Sequence, residues 1–146
     1  MQTTEKALVL KTGRFREADL WVRMLSASRG VHTAFAFGGC VSRRRFCGCL
    51  DTFNLTLFTI DPGKPGGYAV LNEGSLLHGF PGLRADRLRL GAAANCARFV
   101  ESVVVDAADG RAAFDLLTET LYALESADAQ HDFVPLLFRA RLAFEQ

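Results

Sequence analysis

The sequence predicts an α+β protein in which a small five-stranded β-barrel is followed by a unit of about three helices. Apolar residues recur with a period of two through the first half of the chain, as expected for strands with one buried face. After residue 83 the period changes to three or four, as expected for amphipathic helices. The 146 residues are 49% hydrophobic and 23% charged, a composition typical of globular proteins that excludes general disorder.

Five runs of strand character form the predicted barrel. The third run places Phe35 and Phe37 on one face and alternates them with the small residues Ala34 and Ala36. The second run alternates in the same way and carries the single tryptophan, Trp21. The five runs cover residues 6–12, 19–26, 31–37, 53–60 and 68–73.

The connections between these runs predict how the strands are joined. Residues 28–30 (Ser-Arg-Gly) are short enough for a hairpin between runs two and three, and residues 61–67 are too rich in proline and glycine to continue a strand. A long connection, residues 38–52, separates runs three and four. Five short strands with one long connection between the third and the fourth match the strand count of the OB-fold, a barrel that binds oligonucleotides. We therefore assign residues 1–79 to an OB-fold barrel.

The helical unit is predicted for residues 80–146. Residues 106–110 separate the first helix from the second, and a third helix begins after His131, with Asp132 as its N-cap and Pro135 in its first turn. That helix is still running at Gln146, so we interpret the sequence as the front part of a longer protein. The predicted buried faces are Leu88, Ala92, Cys96, Phe99 and Val103 in the first helix and Phe114, Leu117, Leu121 and Leu124 in the second.

Charge is divided unevenly along the chain, although the net charge is only +1. Residues 1–83 carry 10 Lys and Arg against 6 Asp and Glu, and residues 84–146 carry 7 against 10. The net charge is therefore +4 in the first part and −3 in the second. A basic first half indicates a polyanionic partner. Chance is the alternative, because the excess is modest.

The sequence does not support an enzymatic or metal-dependent function. Cys40, Cys47 and Cys49 lack the spacing of a zinc knuckle or a redox pair. Cys96 lies among small and apolar residues and is interpreted as a buried helix cysteine. The three histidines fall in separate elements, and no phosphate-loop motif is complete. We expect a non-enzymatic protein with no catalytic residue, no metal and no cofactor.

Basic and aromatic residues in the barrel connections are the candidate nucleic-acid site. In an OB-fold, a single strand lies over strands two and three and is bordered by the loops that follow strands one and four. Cations there can contact phosphates, and aromatic rings can stack on bases. The alternative is a solvated basic rim that has no ligand. The predicted DNA-binding residues are Arg14, Phe15, Arg16, Arg29, Arg43, Arg44, Arg45, Phe46 and Lys64.

Two further expectations concern the arginines of the chain and its single tryptophan. The arginine run at 43–45 should contribute more to binding than the helical arginines Arg84, Arg87 and Arg89, which lie in the acidic half. Trp21 and Arg23 share a strand face, where they could form a stacking pair. The other interpretation, which we favour, packs Trp21 against the helices.

Eight stretches, in order along nearly the whole chain, resemble one known family, the bacterial recombination mediator RecO. No single stretch is a specific motif, and the resemblance depends on their order and spacing. They are Ala7-Leu-Val-Leu-Lys-Thr12, Glu17-Ala-Asp-Leu-Trp-Val22, Gly30 with Phe37-Gly38-Gly39, Ser42-Arg-Arg-Arg-Phe46, Leu50-Asp-Thr-Phe53, Asn72-Glu73-Gly74, Phe80-Pro81-Gly82-Leu83-Arg84 and Phe138-Arg-Ala-Arg-Leu142.

The resemblance implies an N-terminal OB-fold, a helical C-terminal domain, and binding to single- and double-stranded DNA with annealing of complementary strands. It also implies partnership with a RecR-like protein and with single-strand-binding protein, to load the recombinase during DNA repair. The basic loop of the family corresponds to residues 42–45. Three features depart from the family: its C-x2-C zinc module is missing here, the tail of its helical domain is absent, and Cys40-Val41 stands where the family tends to be more basic.

The predicted function is therefore that of a DNA-binding recombination mediator. The alternatives are a protein-interaction scaffold built on an OB-fold and an RNA-binding OB domain. Residues 1–6 do not begin a signal peptide, and no stretch approaches about 18 uninterrupted apolar residues. We expect a cytoplasmic bacterial protein associated with the nucleoid, with no membrane partner and no small-molecule substrate.

Overall fold

Five strands and one short helix make up the first part of the chain. The structure, a computed structural model, describes residues 2–40, 43–46, 48–64, 67–103, 105–126 and 134–145. The elements are β1 (Thr3–Arg14), β2 (Leu20–Ser26), β3 (Gly30–Ala36), α1 (Arg43–Phe46), β4 (Leu55–Asp61) and β5 (Ala69–His78).

The strands close into a barrel in the order β1-β2-β3-β5-β4. Strand β1 pairs antiparallel with β2 and with β4, and β4 pairs antiparallel with β5. Strand β3 runs parallel to β5, with Ala34 opposite Ala69 and Phe35 opposite Val70. Five strands closed in this order, with the long connection between β3 and β4, form an OB-fold. The predicted fold class is confirmed.

The barrel interior is filled by alternate residues of its strands. Val22 and Met24 of β2 and Ala34 and Ala36 of β3 are fully buried in one apolar cluster. Small side chains on β3 suit a barrel of only five strands, because its interior has little room. The odd-numbered residues of β3, including Phe35, consequently face outward.

Helix α1 lies within the connection that the sequence predicts only as a long loop. A single turn is too short to show a helical period, and it is unstable without tertiary contacts. Phe46, at the end of α1, supplies such a contact because it is only 2% exposed and belongs to the barrel core. The prediction that Phe46 stacks on a base does not fit this burial. Its ring anchors α1 instead.

Four helices form the second part: α2 (Pro81–Arg84), α3 (Arg87–Ser102), α4 (Gly110–Glu125) and α5 (Val134–Glu145). Asp86 follows the short helix α2 and caps α3, because its carboxylate accepts hydrogen bonds from the backbone N–H groups of Leu88, at 2.9 Å, and Arg89, at 3.4 Å. The expected continuous helix after Leu83 is therefore two helices.

The predicted buried face is confirmed for α4 and wrong in part for α3. All four predicted residues of α4 are buried. In α3, Cys96 and Ala92 are buried as predicted, but Leu88 is 69% exposed. The α3 face is built mainly from small residues, which a period search weighted toward large side chains does not detect. Pro135 is the second residue of α5, as predicted, whereas His131 and Asp132 lie outside the described residues. The buried residues of α3 are Ala92, Ala93, Cys96, Ala97 and Val100.

Contacts divide the chain into two compact units. One unit comprises residues 1–26 and 32–79, and the other comprises residues 27–31 and 80–146. The turn between β2 and β3 thus groups with the helices, where the N–H of Val31 donates to the carbonyl of Val105 at 2.9 Å. The division into domains at 1–79 and 80–146 stays a prediction about independent folding. In the part of the chain that the structure describes, no helix is long and apolar enough to cross a membrane.

Candidate nucleic-acid interface

The outer face of β2 and β3 carries polar and aromatic side chains. Arg23 of β2 donates from Nη1 to Oγ1 of Thr33 on β3, at 3.1 Å. Trp21, two residues before Arg23, lies over Gly13 of β1, and a β-carbon on that glycine would come within 2.4 Å of the indole ring. Trp21 therefore contacts the barrel wall. Its favoured packing against the helices stays a prediction.

Four aromatic rings gather at one end of this face, and we call Phe15, Phe35, Phe37 and Tyr68 the aromatic cluster. The ring of Phe35 lies 5.0 Å from Phe15 and 5.1 Å from Tyr68, centroid to centroid, with interplanar angles of 71° and 87°. The Phe37 ring lies 6.0 Å from Phe15 and 6.2 Å from Phe35. Three of the four rings are exposed, with Phe15 at 38%, Phe37 at 41% and Tyr68 at 65%.

The β1–β2 loop, residues 15–19, is tied to the chain that leaves β3. The N–H of Gly38 donates to the carboxylate of Asp19 at 2.7 Å, and the N–H of Cys40 donates to the carbonyl of Ala18 at 3.0 Å. Within the loop, the N–H of Phe15 donates to the carbonyl of Asp19 at 3.3 Å. These bonds fix Phe15 beside the end of β3, so the aromatic cluster is preorganised.

One cation contacts the aromatic cluster, and two more lie on the strand and loop next to it in sequence. The guanidinium of Arg16 lies 5.3 Å from the centroid of the Phe15 ring and 3.7 Å from the carboxylate of Asp19. Arg14, at the end of β1, is exposed and lines a cleft of about 430 Å³ together with Cys40. Lys64 is exposed in the β4–β5 loop, the same loop that leads to Tyr68. These positions are the ones that an OB-fold uses to border a bound strand.

Arg44 and Arg45 of helix α1 make different contacts. Arg45 donates to the carbonyl of Phe37, and its guanidinium lies 5.0 Å from the centroid of the Phe46 ring. Arg44 is exposed, and it lines a groove of about 260 Å³ together with Arg45, Glu73 and other residues of β1, β4 and β5. The side chain of Arg43 lies outside the described part of the chain.

Two arginines do not fit the groups in which the sequence places them. Arg29 is half-buried in the β2–β3 turn, and this turn belongs to the helical unit rather than to the barrel rim. Arg89 is a structural residue of the helical unit, because it forms an ion pair with Asp86 at 3.2 Å and donates to the carbonyl oxygens of Leu124 and Glu125 at the end of α4. A variant of Arg89 would therefore be a poor control for binding.

Sequence reasoning missed three of the four rings of the aromatic cluster and left one cation, Arg23, out of the list of predicted binding residues. Phe35, Phe37, Tyr68 and Arg23 are absent from the predicted site, although three of them lie on the strands and loops that an OB-fold uses. A signal was present in residues 31–37, where the large residues alternate with alanines. In a barrel of only five strands, a run in which alanines alternate with large residues is expected to turn the alanines inward. Applying that rule would have found Phe35 and Phe37.

Metal and thiol chemistry have little support among the described residues. No group of three His, Cys, Asp or Glu side chains within them could hold a metal ion. Cys96 is fully buried in α3, and this burial raises the pKa of its thiol to about 12, with Arg139 acting weakly in the opposite direction. Burial leaves Cys96 an inert core residue, as the sequence predicts.

Comparison with known proteins identifies close relatives. The family described as "Recombination protein O N terminal" matches residues 1–80. Proteins named "DNA repair protein RecO" from Maridesulfovibrio salexigens and Oleidesulfovibrio alaskensis are each 58% identical over all 146 residues. One with the same name from Lawsonia intracellularis is 40% identical over the same length. The chain spans 59% of the length of each of these three relatives.

Proposed function

The chain belongs to the Recombination protein O (RecO) family, and from that premise we propose that it is a non-enzymatic DNA-binding protein of DNA repair and recombination. The relatives' name supports the repair role, and the fold supports the binding. The observation that carries the proposal is the outer face of β2 and β3, next to Arg14 at the end of β1, Arg16 in the β1–β2 loop and Lys64 in the β4–β5 loop.

The bound strand is proposed to follow this face. Arg14, Arg16 and Lys64 contact phosphates from the two loops, and Arg44 and Arg45 of α1 extend the cationic border. Phosphate contacts of this kind position a strand without reading its sequence. We therefore expect binding that depends little on base sequence and strongly on salt.

The finer role rests on the family resemblance. We propose that the protein anneals complementary strands, also binds duplex DNA, and acts with a RecR-like partner and single-strand-binding protein to load a recombinase. These events belong in the bacterial cytoplasm at the nucleoid. An annealing assay with complementary oligonucleotides coated by single-strand-binding protein tests this role, and failure to accelerate annealing would contradict it.

A titration with labelled single-stranded DNA at several salt concentrations tests the binding itself. If three to six cations contact phosphates, the logarithm of the binding constant should fall against the logarithm of salt with a slope of roughly −2 to −4, at about −0.7 per contact. A slope near zero, or no binding at low salt, would contradict the proposal and favour the protein-scaffold alternative. A parallel titration with RNA of the same sequence tests the RNA-binding alternative, because the 2′-hydroxyl distinguishes the two ligands.

A further inference from the structure

A polar groove crosses the outer face that β1, β4 and β5 form. It has a volume of about 260 Å³ and is also lined by Arg44 and Arg45 of α1. Strand β4 lies between β1 and β5, so in a closed barrel of five strands it stands opposite the β2–β3 pair. We infer that this groove is a second track, which holds the sugar–phosphate backbone of a second DNA strand while the β2–β3 face holds the first. The inference rests on the proposed function.

Strand register sets hydroxyl groups along the second track. Phe58 and Ile60 of β4 belong to the barrel core, so Leu57 and Thr59, which alternate with them, face outward. Their partners on the neighbouring strands form two rows across the face. Three of the six side chains carry a hydroxyl, a group that can donate to a phosphate oxygen. The rows are Thr4–Thr59–Glu73 and Lys6–Leu57–Ser75.

The charges along the second track favour a polyanion. Lys6 on β1 and Arg44 on α1 are exposed, and Arg45 also lines the groove. Among the described residues that line it, Glu73 is the one acidic side chain, and its carboxylate accepts from the Oγ1 of Thr59 at 3.4 Å. Three cations therefore face one carboxylate, and the net charge of +2 attracts phosphates.

The second track differs from the β2–β3 face in offering no ring on which a base could stack. None of the described residues that line the groove is aromatic. Cations and hydroxyls contact the phosphates of a strand and leave its bases alone. A strand held here consequently keeps its bases available for pairing, which is the state that annealing requires.

Two tracks on one barrel bring two strands close together. The β2–β3 face and the second track belong to the same compact unit. Helix α1 connects them, because Arg45 lines the groove and also donates to the carbonyl of Phe37, just after β3. Binding both strands to one body makes their encounter intramolecular, at an effective concentration on the order of mM for short flexible connections. Annealing should therefore be faster than between free strands.

Counting the strands bound to one protein molecule tests the second track. The 146-residue chain is titrated with a strand of about 12 nucleotides that cannot pair with itself, a length within the range of OB-fold site sizes. Native mass spectrometry counts the strands, and a fluorescence titration measures the two binding steps. We expect complexes with one strand and with two strands on a single protein chain.

Two exposed lysines separate the tracks, whereas Arg44 and Arg45 lie between them and are not used. Lys6→Gln removes one phosphate contact from the second track. At about 50 mM salt it should weaken the weaker binding step roughly 5- to 10-fold, leave the tighter step unchanged and slow annealing. Lys64→Gln should weaken the tighter step by a similar factor. Arg98→Ala, on α3, should change neither step. Circular dichroism and melting temperature establish that each variant is folded.

Each outcome decides the matter. One strand per chain at saturation overturns the second track and leaves the proposed function intact, whereas no binding at low salt overturns both. If Lys6→Gln weakens the tighter step as much as Lys64→Gln does, the two faces form one continuous site, and the inference is wrong. It is also wrong if Arg98→Ala removes the second strand, which would then lie on the helical unit. An oligo-aspartate of equal charge that binds the groove more tightly than DNA does would make it a docking site for an acidic protein.

Discussion

A single carboxylate, Asp19, fixes the β1–β2 loop against the end of β3. Its Oδ1 accepts from the N–H of Gly38 at 2.7 Å, and its other oxygen lies 3.7 Å from the Arg16 guanidinium. Removing the carboxylate leaves a half-buried N–H without its acceptor and releases the loop that carries Phe15. The position of one aromatic ring thus depends on a residue that is not itself expected to contact DNA.

Asp19→Ala should lower the free energy of unfolding by about 1–3 kcal/mol, the usual consequence of an orphaned donor. Affinity for single-stranded DNA should fall roughly 2- to 10-fold, because the loop must be ordered on binding. Urea denaturation and a DNA titration measure the two effects. Asp19→Asn keeps an acceptor oxygen and should recover most of both. If Asp19→Ala changed neither the stability nor the DNA affinity, the hydrogen bond from Gly38 to Asp19 would not be what holds the loop in place.

Gly30 is required by its backbone conformation and by the close approach of a neighbouring carbonyl oxygen. Its φ of +70° is strained for other residues, and a β-carbon there would lie 2.3 Å from the carbonyl oxygen of Asp106. Gly30→Ala should lower the free energy of unfolding by at least about 1–3 kcal/mol. Gly91 is the matched control, because a β-carbon at that position in α3 meets nothing within 4 Å. Gly91→Ala should stabilise the protein by about 0.5–1 kcal/mol. Urea denaturation measures the free energy of unfolding of both variants. If the two substitutions change it by the same amount in the same direction, the predicted difference between Gly30 and Gly91 is wrong.

The thiol of Cys96 should be unreactive in the folded protein. Burial raises its pKa to about 12 from an ordinary value of 9.0, so the folded state holds the proton where the unfolded state releases it. Stability should consequently be independent of this group below about pH 9 and fall as the pH rises from about 9 towards 12. Mass spectrometry after alkylation at pH 8 should find Cys96 unmodified unless the protein is unfolded first. Rapid modification in the native state would contradict its burial.

At the scale of elements, α1 divides its arginines between two tasks. Arg44 is exposed and available to phosphates, while Arg45 is bonded to the Phe37 carbonyl and lies over the Phe46 ring. The sequence treats residues 43–45 as equivalent cations. The structure predicts that single substitutions of Arg44 and Arg45 have different effects on stability.

Arg44→Ala should leave stability within about 0.5 kcal/mol of the wild type and reduce the magnitude of the salt slope by about 0.7, the value of one phosphate contact. Arg45→Ala should also lower the free energy of unfolding by about 1–2 kcal/mol, because it removes a hydrogen bond and a cation–π contact. Salt-dependent titrations and urea denaturation measure both. Arg98→Ala, an exposed arginine of α3, is the control. If it weakens binding as much as Arg44→Ala does, the binding surface extends to the helical unit.

The elements themselves were predictable to the extent that they repeat a pattern over enough residues. Alternation in β2 and β3 was sufficient to place those strands, and the leucine stripe of α4 was sufficient to place that helix and its buried face. Helix α1 is too short to show a helical period of apolar residues. The sequence therefore places Phe46 in a loop, because only the closed barrel turns its ring inward. The break at Asp86 was missed because a cap is a local hydrogen-bond geometry and not a period.

At the scale of the whole molecule, barrel closure assembles the candidate site. Phe15, Phe35 and Tyr68 are far apart in sequence, and they meet only because β3 pairs with both β2 and β5. The sequence predicts the cationic loops, since loops of an OB-fold have known positions. It does not predict which aromatic rings touch, since that depends on strand register. Arg29 shows the converse, because its turn groups with the helices although the sequence places it beside the barrel.

The central claim is that the outer face of β2 and β3, with its two bordering loops, binds a single strand of DNA. Backbone NMR spectra recorded during a titration with a single-stranded oligonucleotide test it most directly, because they report every amide at once. We expect the largest shift changes on residues 13–23, 33–38 and 62–68, with small changes in α3 and α4. Shift changes confined to the helices, with the barrel face unperturbed, would contradict it.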